Sequence, residues 1–164
     1  MERDNFIKFV FDTLVYCLNV VGLQWAPIEI AIGDGYFIYE YGDAVLQYRN
    51  ANDEMYRKTI RAVPHDKLLE VTALLQYVQN GAILSFEDSL FEGIFKFCAF
   101  LVDISIYCFR YERSDLIDIS VVPCVGFMYD QYLADLFRDC NHKMWNEIIT
   151  TGLEIVERQK EESC

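Results

Sequence analysis

The chain has 164 residues and a formal charge of −12, from 26 acidic against 14 basic side chains, yet 53% of it is apolar and 15% aromatic. Acidic disordered tails are poor in aromatics, so this composition implies a packed core, and the length implies one domain over residues 1–164 with a disordered tail over 158–164. A pI near 4.5 with no basic run argues against nucleic acid and against an anionic membrane surface.

Three prolines and eight glycines punctuate the sequence, and the long intervals between them carry apolar residues at three- and four-residue steps. That periodicity predicts an all-α protein. Phe6, Phe9, Val10, Leu14, Cys17, Leu18 and Val21 mark a first helix over residues 4–21 that stops near Gly22. A loop punctuated by Pro27, Gly33, Gly35 and Gly42 follows, with a short strand or extra turn open over 29–32 or 36–41. Residues 44–62 read as a second helix ended by Pro64, and 66–78 as another that breaks at Asn80-Gly81. Ser85 or Asp88 then caps a long helix reaching Tyr107, apolar almost all round and therefore central. After the polar turn at 110–115, residues 115–137 predict one helix kinked at Pro123, and Asn141 or His142 opens a last amphipathic helix carrying Trp145, Ile148, Ile149, Leu153 and Val156.

The same central segment, 90–108, is interrupted by Glu92, Lys96 and Asp103, which is too polar for a bilayer span. The N-terminus lacks the pattern of a signal peptide, and the C-terminus offers no membrane anchor. Six cysteines, at 17, 98, 108, 124, 140 and 164, share no CxxC and sit mostly inside apolar runs. The expectation is free thiols in a reducing compartment, with Cys164 the exposed one.

Catalytic signals are sparse, and the expectation is a protein that is not an enzyme. Cys140-Asn141-His142 pairs a thiol with a base in sequence only, because residues two apart on a helix point in different directions. His65 reads as a solvated turn residue, and Glu92 with Lys96 as an ordinary helix ion pair. No phosphate loop, HExxH or GxSxG is present, and neither a cofactor nor a metal is expected. A helical bundle offers instead a groove that accepts a partner helix.

Four stretches make that idea specific. Residues 16–25, YCLNVVGLQW, resemble the fourth homology motif of the Bcl (B-cell lymphoma two) family of apoptosis regulators. Residues 46–55, LQYRNANDEM, resemble its third, with Arg49, Ala51, Asp53 and Glu54 matching, Asn52 in place of the glycine and Met55 in place of the aromatic. Residues 86–94, FEDSLFEGI, are similar to its first motif through Phe86, Asp88, Leu90 and Gly93. Residues 136–145, LFRDCNHKMW, match the second if two residues are inserted. The order and spacing follow the family's, and together they cover most of the chain.

The resemblance implies a Bcl-like bundle of about seven or eight helices around a central apolar one. It implies an anti-apoptotic regulator, similar to soluble virus-encoded homologues, acting in the host cytosol and associated with mitochondria through its partners. Those partners are pro-apoptotic Bcl-family proteins, whose helical death motif is held in an apolar groove. Carried over, Met55, Thr59, Ala62 and Val63 form one wall, and Phe91, Glu92, Gly93, Ile94 and Phe97 the other, with Gly93 admitting the ligand backbone. Ile94 stands where the family has the arginine that pairs with the ligand's aspartate, and Glu92 adds repulsion, so weak binding and a narrow ligand range are expected. Two further possibilities stay open. The groove is buried either by two-fold pairing in a homodimer or by its own side chains in a monomer, and the alternative function is capture of a host immune-signalling adaptor.

Overall fold

The computed structural model describes residues 2–28, 33 and 35–162, with residues 141 and 142 described by backbone alone. All regular structure among them is helical: α1 (Glu2–Val20), α2 (Tyr39–Ala51), α3 (Asp53–Arg61), α4 (His65–Leu68), α5 (Val71–Ser85), α6 (Leu90–Arg110), α7 (Pro123–Met128) and α8 (Ala134–Glu162). Two π-helical turns, Ile117–Val121 and Tyr129–Leu133, flank α7. The all-α bundle is as expected. No helix among the described residues is long and apolar enough to cross a membrane.

The first helix ends as its sequence requires. Gly22 takes φ +87°, and the Leu23 N–H reaches back to the Leu18 carbonyl at 2.8 Å, the closing bond of a Schellman turn. Residues 36–38 carry no regular structure, and the other candidate for a strand, 29–32, lies outside the described residues. The expected single helix over 44–62 starts earlier and is broken. At Asn52 (φ −105°, ψ 11°) the side-chain amide donates to the Tyr48 carbonyl at 2.9 Å, a local bond that competes with helix continuation and separates α2 from α3. The segment expected over 66–78 is likewise two helices, α4 and α5, and it runs through Gly81 to Ser85. Gly81 is retained inside α5 because the Phe100 ring presses on its backbone; a Cβ there would lie 2.2 Å from the ring.

Ser89, neither of the expected caps, closes the N-terminus of α6, its Oγ accepting from the Glu92 N–H at 3.3 Å. The predicted kink at Pro123 is taken up by the preceding π turn, where the Val122 N–H donates to Ile117 O, five residues back, at 2.8 Å. The last helix is continuous with the one before it except at Cys140 (φ −139°, ψ 44°). The disordered tail does not hold for 158–162, which are helical, with Gln159 buried and donating to Ala44 O at 3.1 Å.

The core forms around α6, which contributes Phe95 edge-on to Phe9 (centroids 6.1 Å, 89°) and to Tyr41 (5.8 Å, 72°). All buried apolar residues of the described chain belong to one cluster. Trp145 of α8 closes one end, stacked on Tyr36 at 4.0 Å and donating from Nε1 to Glu2 at 2.6 Å. Cys17, Cys98, Cys108 and Cys124 are buried free thiols and Cys140 is an exposed one, while Cys164 lies outside the described residues. Burial pushes the Cys17, Cys108 and Cys124 thiols up to about 12, and Cys98 is raised for the same reason. Alkylation at pH 8 followed by peptide mapping should therefore mark Cys140 in the native protein and leave those four unmodified until denaturant is added.

Candidate functional site

The central helix is not covered equally on all sides. Glu92, Lys96, Phe100, Asp103 and Tyr107 recur at steps of three and four, so they form one stripe along α6, and the charged residues of the helix interior fall on it. Over its middle lies an aromatic triad. The Phe100 ring sits between Tyr56 of α3 and Tyr77 of α5, with both centroids 6.0 Å away. Burial pushes both phenols up to about 12, with the nearby Asp103 carboxylate adding to the rise. The cleft between α3 and α5 is thus floored by α6 and filled by the protein's own rings.

Charge networks flank the triad. Towards the start of α6, the Glu92 carboxylate accepts from the Tyr48 hydroxyl and from Arg158 Nη2 at 2.8 Å, and the same Arg158 nitrogen donates to the Tyr48 oxygen at 2.7 Å. The Tyr48 bond, then Arg158, hold the Glu92 carboxyl below its usual range against the opposing effect of burial. Three helices, α2, α6 and α8, are tied at this point. Towards the other end, Arg49 donates from Nε to the buried Asp103 at 3.0 Å and lies 3.6 Å from Asp53, which also takes Arg57 at 3.0 Å. Burial pushes the Asp103 carboxyl up, and Arg49 works against that shift.

The nine groove residues expected from sequence do not come together as one lining. Met55, Thr59 and Ala62 are exposed on α3 and its C-terminal end, with Val63 half-buried against the core. Phe91 and Glu92 are half-buried, whereas Gly93, Ile94 and Phe97 are inside the core, the last two with no exposed surface. Two assigned roles change. Gly93 faces the α5–α6 turn, where a Cβ would meet the Ser85 carbonyl oxygen at 2.8 Å, so it allows close packing within the chain and not approach of a ligand. Ile94 points away from the cleft, about 200° from Glu92 and Lys96 round the helix. The cation that shares the cleft stripe is Lys96, which is half-exposed and 3.9 Å from the exposed Asp88. Glu92, expected to pair with Lys96 and to repel the ligand's acidic residue, is instead paired with Arg158.

Tyr48, Tyr56, Tyr77, Phe100 and Arg158 were missed by sequence reasoning. The i, i+4 step from Lys96 to Phe100 was the available signal for the floor; nothing local marked Arg158, which reaches Glu92 across 66 residues of sequence. Cys140 lies at the kink of α8, and no group of His, Cys, Asp and Glu among the described residues is arranged to hold a metal ion. Comparison with family models, with curated proteins and with solved structures finds no match to the chain.

Two outcomes check this geometry. Ile94→Arg forces an unpaired cation into the core and should lower stability by about 4 kcal/mol or more in urea denaturation; a change below about 1 kcal/mol would place the side chain at the surface instead. The depressed Glu92 carboxyl contributes stability that is complete above its ordinary value of 4.5 and is lost as pH falls through its lower folded value. Glu92→Gln should therefore flatten the fall in stability on acidification below pH 4.5, measured by denaturation at a series of pH values.

Proposed function

We propose that the chain is a Bcl-like anti-apoptotic regulator that sequesters the helical death motif of pro-apoptotic Bcl-family proteins and so blocks mitochondrial apoptosis in the host cytosol. The observation that carries this reading is the state of α3. None of its nine residues is buried, its hinge is the Asn52 break, and only Tyr56 and Ile60 pack it onto the core. A lightly held helix over an aromatic floor is a cover that an incoming amphipathic helix can displace. The four family-like stretches also support the reading by their positions: the end of α1 and the turn after it, the α2–α3 junction, the α5–α6 junction, and the kinked region of α8.

Displacement has an energetic consequence. Exposing the buried parts of Tyr56 and Ile60 costs on the order of 2–3 kcal/mol, which lowers apparent affinity by roughly thirty- to a hundred-and-fiftyfold relative to an open groove. This replaces the missing arginine at position 94 as the reason for weak binding and a narrow ligand range. The motif's aspartate is received by Lys96, and Met55, Thr59 and Leu84 supply exposed surface beside the opened cleft.

Calorimetric titration with a panel of death-motif peptides should show binding of a few members. Lys96→Glu should weaken those at least tenfold without changing the circular dichroism spectrum, and should abolish protection in a cell-death assay. Uniform low-nanomolar binding across the panel would contradict the covered cleft. Silence in both titration and cell assay would overturn the function and turn attention to capture of an immune-signalling adaptor.

A further inference from the structure

A second feature lies on the other flank of α3. Between the end of α1, the α2–α3 junction and the C-terminal part of α6 is an open cavity of about 620 Å³, within the usual range for small-molecule sites. Three guanidiniums line it, those of Arg49, Arg57 and Arg110. Among the described residues Asp53 is the one carboxylate on its wall and is shared between Arg49 and Arg57, while Asp103, which lines a small adjoining cavity with the same three arginines, takes Arg49. Arg110 has no hydrogen bond or ion pair among the described residues. Among the described residues three cations therefore face two carboxylates, a local positive surplus in a chain whose net charge is −12.

The remaining wall is apolar. Val21, Leu23, Ile106 and Phe109 line it, and Val21 keeps 43% of its surface exposed there. Folding accounts for only part of this lining: Leu23, Ile106 and Phe109 pack against the core yet keep exposed surface, Val21 is exposed, and the arginines exceed the acids available to them among the described residues. Together they are complementary to one negative charge carried on an apolar body.

We propose that this cavity binds a small amphipathic monoanion, a carboxylate on an aliphatic or aromatic body, which no part of the proposed death-motif reading requires. The carboxylate takes paired N–H donors from Arg57 and Arg110, whose planar forks match its two oxygens, and its body lies against Ile106 and Phe109. One bound charge brings the cluster to neutrality.

The test uses the full chain with naphthalene-1-carboxylate and octanoate as aromatic and aliphatic probes, naphthalene-1-carboxamide as the uncharged control and acetate as the head group alone. Amide shifts in a ¹⁵N-labelled sample, followed through titration, should saturate at residues 106–110 and 53–57 for at least one of the two amphipathic acids. The probe that saturates identifies the body. The carboxamide and acetate should each bind at least tenfold more weakly, and added salt should weaken the acid. Arg110→Ala, at an exposed side chain, should weaken binding at least fivefold with the fold intact, and Ile106→Glu should abolish it. Equal binding of acid and amide, no saturation into the millimolar range, or an unaltered affinity in Arg110→Ala would overturn the proposal. Failure of death-motif peptides to bind leaves it standing, because no probe here enters the α3–α5 cleft.

Discussion

Burial of α6 is the constraint on which the other helices depend. Fourteen of its 21 residues are buried, so neighbours must cover it nearly all round, and each of them needs an apolar face and a polar one. The few polar groups on α6 then have to be satisfied where they stand. Ser105 bonds back to the Leu101 carbonyl at 2.7 Å, Asp103 takes Arg49, and Glu92 takes Tyr48 and Arg158. Among the described residues no buried side-chain nitrogen or oxygen lacks a partner. Carboxylates on one stripe thus draw α2 and α8 onto the same side of the central helix.

That arrangement divides the cover of α6 into two kinds of contact. α1, α5 and α7 meet it or each other through closely packed apolar side chains, as Phe9 against Phe95 illustrates. Along the cleft stripe the contacts are ion pairs, hydrogen bonds and three aromatic rings. Partly exposed ion pairs contribute little to stability, while their geometry holds helix ends in register. The strongly packed side supplies the fold, and on the other side α3 is held through partly buried side chains. Both the cleft and the arginine-lined cavity border α3, on its two flanks, which follows from its having no buried residue of its own.

Much of the helical layout was legible from residue spacing and punctuation. Gly22 ended α1 where a glycine with positive φ is needed, and the central helix stood out because its apolar run is long. The errors share a cause. Asn52 broke a helix through a side-chain bond to Tyr48, Gly81 did not break one because Phe100 packs on it, and the 158–162 segment ordered because Gln159 and Arg158 found acceptors on α2 and α6. At Asn52 a local side-chain bond, and in the other two cases a contact with a distant residue, decided between helix and break.

The candidate groove failed in part for a related reason. On a half-buried helix the apolar stripe itself tells which face turns inward. α6 carries apolar residues on nearly every face, so positions 91, 94 and 97 and positions 92, 96 and 100 were both admissible as the open side from the sequence by itself. What the sequence determined was the helical class, the identity of the central helix and the chemistry available along it. Only the tertiary structure decided that Ile94 and Phe97 face the core and that Lys96 and Phe100 face the cleft. The azimuth of a helix buried all round is set by its neighbours: α2 and α8 bring Tyr48, Arg49 and Arg158 to it from 44, 54 and 66 residues away.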